Sequence, residues 1–564
     1  NTPEGWKNAL TNARRRGDRY YLIKRHVSYE ILKELKELPI FRHGKFRGGL
    51  LYQPENRRIM PNGLLAKRTI GYLTEDTLAN IVGIEGSFNN YLAGKDGLKV
   101  QQRLTGGAWI DVDNLETVHA RPGDDIVTTI DLDLQDATEN ALYNQLSKHK
   151  AHHGCAVVME VKTGDIKAIA NLEIGSDGLY HETYNYAVGE SAEPGSTFKL
   201  MSMIVALEDG VIDLNDSVNT GDGTVKYYDK VIRDHEDEGL GTITAREVFE
   251  HSSNVGTARI IYENYKDNPR RYVDRLYSMK INKPLDLQIK GEGKPVIRAP
   301  GDKLWSGISL PMMSHGYEVQ MTPLQILTFY NAVANDGKMV KPRFVTEVRD
   351  GSRVVKSFDT EVITNAICSR STIRKAQSLL EGVVENGTAK NLKNSNYKIA
   401  GKTGTAQIAN AKHGYRSGAR VSYQASFVGY FPADDPLYSC IVVVNAPSNW
   451  VYYGNVVSGP VFKEIADKVY SSSFYRDLHA LNPEGNEKVT LREASSEVGK
   501  NDLTVAGGVM PNVVGMGLRD AIYLLENSGL RVRYSGRGRV TKQSPRPGVR
   551  VSRGATVAIE LRLR

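Results

Sequence analysis

Apolar positions along this chain fall into two kinds of pattern. Short, largely apolar runs bounded by turn residues predict strands: Cys155 to Val161, Asp165 to Ala170, Ala425 to Phe431 and Cys440 to Val444. Lys162-Thr163-Gly164, between the first two, reads as a hairpin turn. The second pattern is longer. Phe198, Leu200, Met201, Met203, Ile204, Val205, Ala206 and Leu207 follow the turn residues Glu193-Pro194-Gly195 and end at Gly210. They predict a mostly buried helix starting at about Ser196, with Gly210 as its stop. The run Tyr397 to Ala406 alternates like a strand and is rich in glycine and small residues, so another backbone could approach it closely. It suits the border of a sheet whose inner strands are the two apolar runs that follow. Near the C-terminus, Leu518 to Asn527 puts Ala521, Ile522, Leu524 and Leu525 on one helical face, and Gly529 ends it.

A length of 564 residues implies several domains, and the composition is globular. The formal net charge is +8, and it lies at one end: from Pro511 onward eleven basic residues face three acidic ones. Such a patch can meet nucleic acid, anionic lipid or an anionic polymer. No nucleic-acid-binding motif accompanies it, so nucleic acid is set aside. No apolar run is long enough to span a bilayer, and no signal peptide is evident. The cysteines are Cys155, Cys368 and Cys440. Two of them sit in apolar strands, where a free thiol behaves as a small hydrophobe. His149, His152, His153 and Cys155 cluster, but their spacing fits no paired zinc pattern. Consecutive side chains at a strand start point apart, so the cluster reads as a solvated loop with no metal.

Candidate chemistry lies in three short motifs in a fixed order: Ser196-Thr197-Phe198-Lys199, Ser252-Ser253-Asn254 and Lys402-Thr403-Gly404. This set is associated with penicillin-binding proteins and class A β-lactamases. Each motif alone is weak, since S-x-x-K recurs at Ser147/Lys150 and Ser395/Lys398, and K-T-G at Lys162. Context selects among them. A serine at a helix start sits among free backbone N–H groups at the positive end of the dipole. Lys199, three residues on, shares its face. Burial in that apolar helix would lower the lysine's pKa and make it a base. Ser147 has only polar neighbours. Lys402 reads as a cationic strand edge to which a peptide could add as an extra strand.

With these residues in place, the chain resembles a class B, monofunctional penicillin-binding protein of the division-specific type. Glu193 to Lys199 is similar to that family's nucleophile segment, and His251-Ser252-Ser253-Asn254-Val255-Gly256 to its second motif. Thr322-Pro323-Leu324-Gln325 and Ala334-Asn335-Asp336-Gly337 resemble the region between motifs two and three, and Phe427 to Ala433 the strand after the third. Upstream, Gly83-Ile84-Glu85 and Leu92 to Gly97 resemble a pedestal domain, joined at Thr128-Thr129-Ile130-Asp131. The C-terminus resembles a PASTA domain, opening at Met510-Pro511-Asn512-Val513-Val514-Gly515 and closing through Ser544-Pro545-Arg546-Pro547-Gly548.

The resemblance implies a multidomain α/β chain: a pedestal of mixed α+β structure over 1–133, and a transpeptidase domain over 134–475 with a central antiparallel sheet and helices. A connector over 476–507 and a small PASTA domain over 508–564 complete it. It implies a peptidoglycan D,D-transpeptidase of septal wall synthesis, with Ser196 as nucleophile and Lys199 as base. Ser252 and Lys402 would relay the proton, and Asn254 would bind the stem-peptide backbone. The N–H groups of Ser196 and Thr405 would form the oxyanion hole, while Thr403, Gly404 and Thr405 bind substrate. Neither metal nor organic cofactor is expected. Expected partners are stem peptides ending in D-Ala-D-Ala, β-lactams, a membrane glycosyltransferase and other division proteins. The chain starts at Asn1, and family members carry an N-terminal membrane anchor. An ectodomain on the outer side of the inner membrane, lacking that anchor, is therefore expected. A β-lactamase, a D,D-carboxypeptidase and a non-catalytic wall-binding scaffold remain open alternatives.

Overall fold

The computed structural model describes residues 2–471 and 510–562, apart from 26, 28, 44–46, 54–58, 73–81, 99–100, 104–108, 112–117, 119–120, 236–238, 409–421, 449–450, 537–538 and 553. The expected connector 476–507 lies outside the described residues. Residues 1–63 form one compact unit and 64–564 another. In the first, the helix Pro3–Arg15 is opened by Thr2, whose hydroxyl accepts from the Gly5 N–H, with Pro3 at the first helical position. A second helix spans Tyr29–Glu37.

The second unit is organised by a six-stranded antiparallel sheet and the helices against it. In chain order these are α1 (Leu132–His149), β1 (His153–Glu160), β2 (Ile166–Ile174), β3 (Tyr180–His181), α2 (Lys199–Glu208), α3 (Ala245–Glu250), α4 (Asn254–Tyr265), α5 (Pro323–Ala334), α6 (Arg370–Glu385), β4 (Ala400–Gln407), β5 (Tyr423–Phe431), β6 (Tyr438–Asn445) and α7 (Gly459–Ser471). The spatial order is β4-β5-β6-β1-β2-β3, so β4 is an edge and the apolar runs of β5, β6 and β1 are central. Both faces of those strands are covered, which is why their apolar runs do not alternate. On one face Phe462 of α7 packs edge-on against Phe427 and Phe431. On the other, Asn331 of α5 donates to the Val161 carbonyl and accepts from the Ser439 hydroxyl at 2.7 Å. Removing a side chain such as Phe427 from this core should cost about 3–5 kcal/mol.

Sequence also marks the helix starts. Thr322 and Gln325 form a capping box at α5, Thr244 and Glu247 another at α3, and Ser369 caps α6. α2 is buried from Lys199 to Leu207. A helix apolar all round belongs in the interior, and this one carries the first motif into the core.

Two expectations are corrected. The α-helix begins at Lys199, and Gly195–Phe198 forms a 3-10 turn before it. Gly195 has φ +55°, the Thr197 hydroxyl donates to the Pro194 carbonyl, and the Tyr330 hydroxyl donates to the Thr197 carbonyl. Those ties hold the tighter turn. The histidine cluster is not a solvated loop. His149 and His153 are buried, and His153 stacks on Tyr186 with its Nε2 3.1 Å from Glu190. His152 and His153 meet through their Nδ1 atoms at 2.8 Å, because His152 precedes the strand and its alternation.

The terminal module has its own small core. α8 (Leu518–Asn527) packs on a sheet of β7 (Arg531–Gly536), β8 (Arg539–Ser544) and β9 (Thr556–Arg562), ordered β7-β9-β8 with the first pair parallel. β9 buries every second residue, Val557, Ile559 and Leu561, against Ala521 and Leu525. Arg539 lies near Asp136 of α1 and Glu464 of α7, whose carboxyls burial pushes up while Arg539 pulls them down. Among the described residues no helix is long and apolar enough to cross a membrane.

Candidate active site

Three backbone features bring the motifs together. The first is the turn holding Ser196. The Gly195 N–H donates to the Gly316 carbonyl at 3.1 Å, and a Cβ on Gly316 would overlap Gly195. Gly195 in turn rests on Ala406 of β4. Ser196 is therefore fixed, half-buried, beside the edge strand. Lys199 follows one turn later with no exposed surface.

The second feature is the tight turn after α3. Ser252 has φ +59°, a left-handed conformation that L residues seldom adopt. Ser253 then caps α4, its hydroxyl accepting from the Gly256 N–H at 2.8 Å. In this geometry both the carbonyl and the hydroxyl of Ser252 meet Lys199. Lys199 Nζ donates to the carbonyl at 2.5 Å and to Oγ at 3.1 Å.

The third feature is β4. Lys402, Gly404 and Ala406 alternate onto the face that meets the Ser196 turn. A Cβ on Gly404 would overlap the Ser426 hydroxyl and lie 2.9 Å from the Thr197 methyl, so any side chain there must displace its neighbours. Lys402 Nζ donates to Ser252 Oγ at 2.8 Å and to the Thr403 carbonyl at 3.0 Å, and lies 5.7 Å from the Phe249 ring centre. Ser252 Oγ thus accepts from both lysines and uses both of its lone pairs.

The electrostatics follow from burial. Lys199 is pushed down to about 7, chiefly by desolvation, with Asp234 pulling the other way. Lys402, equally buried, is pushed well down by desolvation and then by Lys199. Two ammonium groups sharing one hydroxyl in this interior disfavour each other. Lys402 thus lies on the expected edge strand, but alternation turns its side chain into the core, where burial works against its charge.

Lys199, Ser252 and Lys402 are therefore joined by direct hydrogen bonds, with Ser196 one helical turn from Lys199. Asn254 is placed differently: its amide donates to the Arg233 carbonyl at 2.8 Å. Thr403 shares a 2.8 Å hydroxyl contact with Thr388, and Thr405 is half-buried on the same face as Thr403. Several neighbours escaped the sequence reading. Asp234 accepts from the Ser253 hydroxyl and the Val255 N–H. Tyr423, Tyr452, Tyr453 and His235 form a row of ring contacts with centres 4.0–4.8 Å apart. No motif flags them, and a chain with 29 tyrosines gives an aromatic row no local signal. The arrangement can activate a serine, hold a proton among three groups and receive a peptide along the glycine-bearing edge.

Comparison with known proteins agrees with this chemistry. Residues 154–467 match the family model described as the penicillin-binding protein transpeptidase domain, and residues 508–562 match the PASTA domain. The chain is 28% identical to the peptidoglycan D,D-transpeptidase FtsI of Escherichia coli strain K12, over 82% of this chain and 74% of that protein. It is 26% identical to the stage V sporulation protein D of Bacillus subtilis strain 168, over 95% of this chain and 79% of that protein. Among solved structures, penicillin-binding protein 3 of Mycobacterium tuberculosis complexed with aztreonam superposes with a TM-score of 0.61 at 26% identity. That likeness covers 75% of this chain and 91% of the matched chain.

Proposed function

The chain belongs to the family of penicillin-binding protein transpeptidases, and from that membership we propose a peptidoglycan D,D-transpeptidase working through an acyl-enzyme on Ser196. The observation that carries the residue roles is the buried Lys199, held near neutrality one turn from Ser196 and hydrogen-bonded to Ser252. Ser196 Oγ attacks the carbonyl between the last two D-alanines of a stem peptide while its proton passes to neutral Lys199. The N–H groups of Ser196 and Thr405 stabilise the oxyanion. As the C–N bond breaks, the proton reaches the leaving amine through Ser252 and Lys402, leaving an ester on Ser196. An amine of a second stem peptide attacks that ester, the C–O bond breaks, and the proton returns to Ser196 as the cross-link forms. Thr403 and Thr405 receive the terminal carboxylate, and Asn254 contacts the peptide backbone. β-Lactams acylate the same serine.

The setting is wall synthesis outside the cytoplasmic membrane, at the division septum and beside a membrane glycosyltransferase. That part rests on the family resemblance of the chain with its PASTA module. The domain limits that go with it are a non-catalytic region over 1–133 and a transpeptidase region over 134–475. Intact-mass measurement and peptide mapping after incubation with penicillin test the reading. A persistent adduct on Ser196 is expected. An adduct elsewhere, or none, overturns the assignment, and rapid loss of the adduct favours a β-lactamase.

A further inference from the structure

The conformation of Ser252 needs support, and the support comes from outside the three motifs. Its left-handed backbone is what turns carbonyl and hydroxyl toward Lys199. On the other side of the turn stand Arg233 and Asp234, at the end of the strand Lys230–Arg233. The Arg233 carbonyl accepts from the Asn254 amide at 2.8 Å. The two oxygens of Asp234 accept from the Ser253 hydroxyl at 2.7 Å and the Val255 N–H at 2.9 Å. Asp234 is itself anchored, its N–H donating to the Gly223 carbonyl at 2.8 Å. Three hydrogen bonds thus clasp the three residues that follow Ser252.

A cap for α4 does not require that carboxylate, because the Ser253 hydroxyl already accepts from the Gly256 N–H. A neutral partner for Ser253 would serve the fold. What the carboxylate adds is a fixed negative charge beside a pair of buried lysines. We propose that Asp234 is a positioning residue for acyl transfer, whose carboxylate both fixes the Ser252 turn and helps to retain one proton within the Lys199–Ser252–Lys402 chain. The inference rests on the acyl-transfer reading above.

The groups facing Lys199 are Lys402 from β4, His315 after the segment Ser309–Ser314, and Asp234, with Lys230 acting on His315. Burial and Lys199 push His315 down to about 3, so it stays neutral through the working range. Asp234 pulls Lys199 up against the larger effect of burial. Without that charge Lys199 gives up its proton more readily, and the form competent as a base persists to lower pH. The acid limb of acylation then moves down, while the looser turn lowers the plateau.

The test compares wild type, Asp234→Asn and Asp234→Glu, measuring penicillin acylation rates from pH 5 to 9 and thermal melting. Asp234→Asn should fold, lose about ten- to a hundredfold in plateau rate, and shift its acid limb down by about half to one pH unit. Asp234→Glu keeps the charge and should hold the limb near the wild-type position. An unmoved limb in Asp234→Asn, or equal limbs in both variants, overturns the inference. So does a rate loss that only tracks the unfolded fraction, or failure of both variants to fold, since Asp234 would then serve folding alone. Wild-type protein without an adduct on Ser196 overturns the transpeptidase reading instead.

Discussion

The tripeptide Lys-Thr-Gly occurs twice, and its two copies share almost nothing but their letters. At 162–164 it links β1 to β2. Lys162 is exposed, and the Thr163 hydroxyl is used within the turn, donating to Glu160 and accepting from the Asp165 N–H. Gly164 has φ +81°, and a Cβ there would overlap the Lys341 carbonyl, so glycine is needed for a turn that only joins two strands. At 402–404 the tripeptide is an edge strand. Lys402 is fully buried on Ser252, Thr403 meets Thr388, and Gly404 is needed for room against Thr197 and Ser426. The difference lies in the partner chain segments. A tripeptide becomes part of a site when its alternate side chains meet a serine turn on one face and a capped helix beyond it.

The sharpest way to break this comparison is to substitute both lysines. Lys402→Arg cannot fit its larger, permanently charged group into the same buried space. Penicillin acylation should fall about 100- to 1,000-fold, while Lys162→Arg should leave it unchanged. Equal rates would mean that burial of Lys402 is irrelevant. A second measurement concerns pH. Because burial pushes Lys199 down to about 7 and it acts when neutral, the wild-type acylation rate should rise through about pH 7 and level above it. A rate flat from pH 5 to 9 would remove Lys199 as the base.

The glycines should separate next. Gly404→Ala overpacks the site, costing about 1–3 kcal/mol and lowering acylation about tenfold or more. Gly164→Ala strains a left-handed turn, by about 1–2 kcal/mol, and in addition overlaps the Lys341 carbonyl, with acylation per folded molecule unchanged. Melting temperatures and acylation rates together distinguish the two. The smallest effect belongs to the threonines: Thr388→Val removes the partner of the Thr403 hydroxyl and should lower acylation about two- to fivefold, within the net worth of one hydrogen bond. A larger loss would give Thr388 a direct part in binding.

Much of the architecture was legible because it is written in largely apolar runs. β5 and β6 had to be inner strands, β1 and β2 a hairpin, and β4, with its glycines, a border. The nucleophile segment was legible from its punctuation, although Gly195 and the Tyr330 hydroxyl tighten its start into a 3-10 turn that periodicity does not encode. The burial of Lys402 was not legible, because a lysine in a strand carries no local mark of which face it occupies. Asp234 left still less trace. Asp234-His235-Glu236-Asp237-Glu238 reads as any solvated acidic loop, and its role arises only from contacts with Ser253 and Val255, which lie nineteen and twenty-one positions away.

The close approaches of Gly195 to Gly316 and of Gly404 to Thr197 and Ser426 also shape how this protein can change. At Gly316 backbone rests on backbone, and at Gly404 the strand rests on the Ser426 hydroxyl and the Thr197 methyl, so an added side chain displaces the nucleophile turn or its neighbours. Variants that blunt an inhibitor while preserving the reaction therefore meet their highest cost at these positions. They arise more easily at the rim, among side chains such as Tyr453 that stand partly in solvent, or in segments that tilt the site as a whole. The centre is frozen by geometry, and adaptation is left to its margins.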